Sequence, residues 1–186
     1  METSDEGEAG DLWVFGYGSL IWQPGFAFLD SQKARLPGAH RSLCIFSHHY
    51  RGTAEVPGLV FGLARGGSCR GIAFAVDDAI WPATLQYLRD RELVTAVYRE
   101  AVRPVVLEDG RRVEAVAYLV DEQHAQYAGR LSLDEQLALV RQGVGVSGPN
   151  TDYVLNTANH LNRLGIHDRA LERLAMALRE DERAVA

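Results

Sequence analysis

Leu12-Trp13-Val14-Phe15-Gly16-Tyr17-Gly18-Ser19-Leu20-Ile21-Trp22 is the stretch on which the reading of this chain turns. Leu12 to Tyr17 is short, apolar and aromatic, the composition of a buried β-strand. Gly18-Ser19-Leu20 follows at once and signals a turn. A dinucleotide fingerprint would need a third glycine where Ile21 stands, and an acidic residue farther on than Asp30. A nucleophile elbow would need glycine two positions after Ser19, and Ile21 is there instead. What survives is a strand ending in small residues whose backbone N–H groups stand clear of side chains. Such a nest can bind a carboxylate or stabilise a developing oxyanion; a plain tight turn would read the same way.

Working outward, further strands are expected at Arg41–Ser47, Leu59–Ala64 and Arg70–Val76. Asp109-Gly110 lies between the apolar runs Val102–Leu107 and Arg112–Val120, which predicts a hairpin closed by a type I′ turn. Helices are expected at Asp78–Arg91, Leu133–Gln142, Thr151–Leu164 and Asp168–Glu180. The third has Asn150 or Thr151 to cap its start and Gly165 to end it. The last carries Leu171, Leu174, Ala175 and Leu178 at helical spacing, the mark of a helix that docks on a core. Strands cluster early and the later helices come in a run, so the fold class is α+β, not alternating α/β. There is no internal repeat or low-complexity linker. One domain from residue 12 to 186 is expected, preceded by a disordered acidic tail over residues 1–11.

Composition narrows the function classes. A chain of 186 residues suits a single core, and a net charge of −6 with no basic block disfavours nucleic acid. No apolar run is long enough to cross a bilayer, and the acidic start lacks the basic and apolar parts of a secretory leader. Cys44 and Cys69 form neither a metal spacing nor a disulfide framework, and each sits in an apolar run. Reduced, buried thiols and a cytoplasmic location are expected. The histidines contain no H-E-x-x-H pattern, and His48-His49 has no partner at ligand spacing, so no metal site is expected.

One acidic residue stands out. If the helix from Asp78 runs slightly further, Trp81, Leu85, Leu88 and Glu92 fall on one apolar stripe. Desolvation there would raise the pKa of Glu92 towards the range useful to a general base or acid. The alternative is a helix-end glutamate tied to Arg89 or Arg91, or simply solvated.

Val14-Phe15-Gly16-Tyr17-Gly18-Ser19-Leu20-Ile21-Trp22 resembles the opening motif of the ChaC-type γ-glutamyl cyclotransferases. Arg51-Gly52-Thr53, Pro57-Gly58-Leu59-Val60 and Gly66-Gly67-Ser68-Cys69-Arg70-Gly71 are similar to later blocks of the bacterial branch. Arg91-Glu92 with Tyr98-Arg99 resembles the catalytic segment, and Ser147-Gly148-Pro149-Asn150-Thr151 with Tyr153 the late helix start. Two departures stand out: Ala54 where many bacterial members have proline, and Ala96-Val97 where relatives often carry glycine. The resemblance implies a small, curved β-sheet or barrel core surrounded by helices, with a pocket beside the first loop.

It also implies an activity: cyclisation of a γ-glutamyl group to 5-oxoproline, which for glutathione releases Cys-Gly. The substrate's α-amine must attack its own γ-carbonyl, yet an α-amino group titrates near pH ~8 and is mostly protonated in a cell. Glu92 is the implied base, able to return the proton to the departing amine. The implied substrate-binding stretch is Val14, Phe15, Gly16, Tyr17, Gly18, Ser19 and Leu20, with backbone groups of Tyr17 to Leu20 on the glutamyl end. Tyr98 and Tyr153 are candidate hydrogen-bond donors to the substrate. Arg51 has the paired donors that suit the glycine carboxylate of glutathione, a surface arginine being the alternative. No metal or cofactor is implied, and the partner expected is a small molecule, glutathione, without nucleic acid or membrane. Other γ-glutamyl amino acids or amines are alternative substrates, and a non-catalytic γ-glutamyl sensor is a further alternative.

Overall fold

In the computed structural model, which describes residues 12–185, the apolar opening segment is a strand, β1 (Leu12–Gly16), in the wall of a closed five-stranded barrel. The remaining walls are β2 (Asp30–Ser47), β3 (Gly58–Val76), β4 (Tyr98–Leu107) and β5 (Arg112–Val120). The order around the barrel is β1-β3-β2-β4-β5, and β5 returns to β1 in parallel through Trp13↔Ala115 and Val14↔Val116. Four helices complete the α+β fold: α1 (Trp81–Glu92), α2 (Leu133–Gln142), α3 (Asn150–Arg163) and α4 (Arg169–Val185). A two-residue pair, β6 (Val144–Gly145) with β7 (Gly148–Pro149), leads into α3. The tail expected over residues 1–11 lies outside the described residues.

Alternation along β1 divides the core. Trp13 and Phe15 point into the main cluster, which α2, α3 and α4 cover with Leu137, Val140, Val154, Leu161, Leu171, Leu174 and Leu178. Val14 points the other way, into a smaller cluster with Leu20, Val76, Leu88, Val116 and Tyr118 beneath α1. Both faces of β1 are thus buried, which is why its sequence reads as a continuous apolar run.

Three expectations are corrected. The strands expected at Arg70–Val76 and Leu59–Ala64 are one strand, β3, and the Arg41–Ser47 strand begins eleven residues earlier, at Asp30. Arg65-Gly66-Gly67-Ser68 looks like a turn but is a bulge: Gly66 and Gly67, both at positive φ, sit opposite Gly38 between the pairs Ala39↔Arg65 and Pro37↔Ser68. The extra residue bends two long strands enough to close a small barrel. The hairpin at Asp109-Gly110 forms, but only Gly110 has positive φ. Gly110 N–H donates to Leu107 O at 3.0 Å and Leu107 N–H to Arg111 O at 2.9 Å, a three-residue loop with a glycine bulge in place of type I′. Finally, Asn150 starts α3 without capping it, since Pro149 holds the cap position. Its amide instead bonds both backbone groups of Leu59, Oδ1 accepting at 2.6 Å and Nδ2 donating at 2.7 Å, and so docks α3 on β3.

Candidate functional site

The chain leaves β1 at Tyr17, makes a single 3-10 turn at Ser19–Ile21 and thereby forms one wall of a cleft. Tyr17, Gly18, Ser19, Leu20, Phe61, Glu92, Tyr98, Tyr118 and Tyr153 line it. α1 supplies Glu92 from its last turn, β3 supplies Phe61, β4 and β5 supply Tyr98 and Tyr118, and α3 supplies Tyr153. The helix delivering Glu92 starts where Pro82 occupies its first turn, a place where a missing N–H costs nothing. Leu88 is fully buried, and Trp81 and Leu85 pack on the same cluster, so the apolar stripe does lead to Glu92.

Glu92 has a side chain only 16% exposed. Burial pushes its pKa up, and the Arg91 guanidinium, 3.2 Å from Oε1, pulls it partly back. Both readings of this residue therefore hold at once: it is core-facing and it is paired with its neighbour. Arg91 does more than pair. Its Nη2 donates to Ser19 Oγ at 2.8 Å and its Nη1 to Gln23 O at 2.7 Å, tying the loop to the end of α1. Because Ser19 Oγ accepts from a cation, the proton of its hydroxyl remains available to a ligand.

The phenols divide by where their protons go. Tyr98 donates to Phe61 O at 2.8 Å, so what it offers the cleft is a lone pair. Tyr153 accepts from Phe61 N–H at 3.2 Å, which leaves its own proton to donate. Of the two phenols expected as donors, Tyr153 thus has its proton free and Tyr98 has its proton on Phe61 O. Tyr118 donates to Glu100 Oε2 at 3.0 Å, and Glu100 is held by both nitrogens of an Arg89 fork at 2.9 and 2.7 Å. Burial raises the pKa of all four phenols, that of Tyr153 to about 12, so they stay neutral at physiological pH. Glu92 is the single carboxyl of the lining.

Of the sequence candidates, Tyr17, Gly18, Ser19, Leu20, Glu92, Tyr98 and Tyr153 meet in this cleft. Val14, Phe15 and Gly16 do not: Val14 and Phe15 are core side chains, and Gly16 is the last residue of β1. Arg51 also lies off the lining. Its Nη1 donates to Pro149 O at 3.1 Å and its guanidinium stacks 5.4 Å from the centre of the Tyr153 ring. Sequence reasoning missed Phe61 and Tyr118. Their strands are apolar enough that an aromatic residue reads as core. Among the described residues no three His, Cys, Asp or Glu side chains group as a metal site.

A family model described as ChaC-like protein matches residues 12–181. The glutathione-specific gamma-glutamylcyclotransferase of Escherichia coli strain K12 is 31% identical over 173 residues, covering 93% of this chain and 75% of that protein. Glutathione-specific gamma-glutamylcyclotransferase 1 of Homo sapiens is 30% identical over 165 residues, covering 87% and 74%. Among solved structures, a yeast gamma glutamyl cyclotransferase specific to glutathione matches with a TM-score of 0.83 at 19% identity, over 92% of this chain and 96% of that one. The likeness to the yeast protein shows that the barrel and its helices are a shared fold.

Proposed function

Because the chain belongs to the ChaC-like protein family, we propose that it is a γ-glutamyl cyclotransferase that converts glutathione to 5-oxoproline and Cys-Gly, with Glu92 moving the proton. Relatives carrying the name glutathione-specific gamma-glutamylcyclotransferase align over most of its length. The observation that carries the mechanism is a desolvated carboxyl, Glu92, the single carboxyl among neutral hydrogen-bonding groups.

That arrangement suits the chemistry step by step. The substrate's α-ammonium seats against the Glu92 carboxylate and the Tyr98 lone pair. A raised carboxyl pKa narrows the gap to the amine, so proton transfer to Glu92 is less uphill than to an exposed glutamate. The freed amine attacks the γ-carbonyl carbon within the same molecule. Holding the chain folded for that attack replaces a rare encounter with a standing one, an advantage of several kcal/mol. The protonated carboxyl then gives its proton to the cysteine nitrogen as the old C–N bond breaks. The Tyr153 phenol, the Ser19 hydroxyl and the loop N–H groups are the donors left for the glutamyl carboxylate and the carbonyl oxygen. Attack leaves a second proton on the ring nitrogen, which passes by way of the same carboxylate to the departing amine. Two protons move and one C–N bond replaces another, so the scheme calls on no metal, cofactor or protein nucleophile.

No described helix is long and apolar enough to cross a membrane, and both thiols are free. Reduced cysteines suit a reducing compartment, and we place the reaction in the cytoplasm.

A second reading keeps the chemistry and changes the substrate to γ-glutamyl amino acids or amines. Arg51 favours it, because its guanidinium is engaged by Pro149 O and the Tyr153 ring and is not itself among the lining side chains. Turnover of reduced glutathione against γ-glutamyl-alanine, both followed by 5-oxoproline release, tests the choice. Higher kcat/KM for glutathione is expected. Equal or better use of γ-glutamyl-alanine would establish the second reading, and no 5-oxoproline from either would overturn both.

A further inference from the structure

We infer that Arg41 is a positioning residue for the cleft: it turns the Tyr17–Gly18 peptide so that the Gly18 N–H faces the ligand, and Asp168 holds it in place. The inference rests on the proposed function, since the γ-glutamyl end is what that N–H would meet.

Arg41 lies on β2 with its side chain 2% exposed, outside the residues that line the cleft. A buried guanidinium is costly unless its donors are satisfied. Three of them are: Nε donates to Tyr17 O at 2.6 Å, Nη2 to Arg70 O at 2.6 Å and Nη1 to Asp168 Oδ2 at 2.8 Å. Two of the three partners are thus backbone carbonyls, one on β3 and one at the exit of β1, where the active loop starts.

The bond to Tyr17 has a geometric consequence for the next residue. A peptide unit is planar, and in the trans form its C=O and N–H point in opposite directions. No described peptide bond is cis. With the Tyr17 carbonyl turned to Arg41, the Gly18 N–H must face away from it. Gly18 is buried and lines the cleft, and a side chain built on it would meet nothing within 4 Å. Among the described residues its N–H has no acceptor. A buried N–H left without a partner is expensive, and a ligand carboxylate or a water relieves it. The cation on the carbonyl also draws electron density from the amide and strengthens the N–H as a donor.

Asp168 extends the arrangement to the far end of the chain. Its Oδ1 accepts from Leu171 N–H at 3.2 Å and its backbone O from Glu172 N–H at 2.8 Å, so it opens α4 while its Oδ2 holds Arg41. The docking of the last helix is thereby linked to the orientation of one peptide in the first loop.

The test is steady-state kinetics on reduced glutathione with Arg41→Lys and Asp168→Asn beside wild type. Lysine keeps the charge, but its three donors sit on one atom and cannot span acceptors that Arg41 meets with three separate nitrogens. Asparagine caps a helix as well as aspartate, so Asp168→Asn keeps the start of α4 while it removes the charge and the second acceptor oxygen that anchor Arg41. A donor that grips the substrate equally in the ground and transition states affects KM and spares kcat. Arg41→Lys should raise KM about tenfold, the order expected for one hydrogen bond to a charged group. Asp168→Asn should raise it about threefold, with kcat within about twofold in both variants. A purely structural role would reduce the active fraction, lowering kcat at constant KM, and that result overturns the inference. An unchanged KM in folded Asp168→Asn does the same, and this variant decides alone if Arg41→Lys fails to fold. An inactive wild type would instead overturn the proposed function and this inference with it. An active wild type with unmoved KM in both variants overturns this inference only.

Discussion

Glu92 is held in a place that suits its reactivity and not its charge. Burial raises its carboxyl pKa above the ordinary glutamate value. The folded state therefore binds a proton more tightly than the unfolded one, and the stability this contributes is lost as pH rises through the folded pKa. Glu92→Gln should accordingly unfold at a higher temperature than wild type at pH ~7.5, with the difference vanishing below pH ~4, where the carboxyl is protonated in both states. Calorimetric scans at the two pH values check the sign, and a variant less stable than wild type at pH ~7.5 would contradict it. Tyr153→Phe removes a phenol proton that the hydrogen bonds of the cleft leave free and should raise KM for glutathione about tenfold without unfolding the protein. Ala96 lies between Glu92 and Tyr98 with φ 55°, a left-handed conformation that costs a side-chain-bearing residue about 1–2 kcal/mol. Ala96→Gly should therefore stabilise the protein by about 0.5–1 kcal/mol once the extra freedom of glycine in the unfolded chain is discounted, read as a higher denaturation midpoint at an unchanged slope.

Elements meet through a small number of polar side chains that do backbone work. Asn150→Ala would leave the N–H and C=O of Leu59 without partners in the core, at about 2–4 kcal/mol for the pair. Urea unfolding should show it as a lower midpoint at an unchanged slope. The sequence announced some of these elements plainly and others not at all. α2 has the bounds expected, Leu133–Gln142, because Ser132 and Glu135 cap each other reciprocally at its start. Gly165 ends α3 at φ 65°, with Ile166 N–H bonded to Leu161 O, as a glycine there promises. The long strands were hidden because bulge glycines and turn glycines look alike until the partner strand is known. The Arg51-Gly52-Thr53 and Pro57-Gly58 blocks were legible as motifs but not in their purpose. A side chain on Gly58 would strike Arg51 O, and one on Gly52 would strike Gly58 N, so these glycines let two backbones touch. Within the cleft, Glu92 showed itself through helical periodicity. Tyr118 could not, because Val116-Ala117-Tyr118-Leu119 is an apolar strand in which nothing marks one side chain as facing a ligand.

At the scale of the whole molecule, barrel closure brings residues from the loop after β1, from β3, β4 and β5, and from α1 and α3 to one opening, and it buries both thiols. Burial pushes Cys44 up to about 11 and raises Cys69 as well, so little thiolate exists near neutrality. Iodoacetamide at pH ~7.5 should label neither cysteine in the folded protein and both in denaturant, with turnover surviving the native treatment. Rapid native labelling that abolished turnover would contradict a mechanism without a protein nucleophile. The most direct measurement is 5-oxoproline release from reduced glutathione by wild type and by folded Glu92→Gln at equal concentration. Exchanging an oxygen for an amide keeps the shape of the side chain and removes its capacity to accept the amine's proton. Wild type should turn over, and the variant should be slower by about 10²- to 10⁴-fold. Equal rates from the two proteins would contradict the assignment of proton transfer to Glu92.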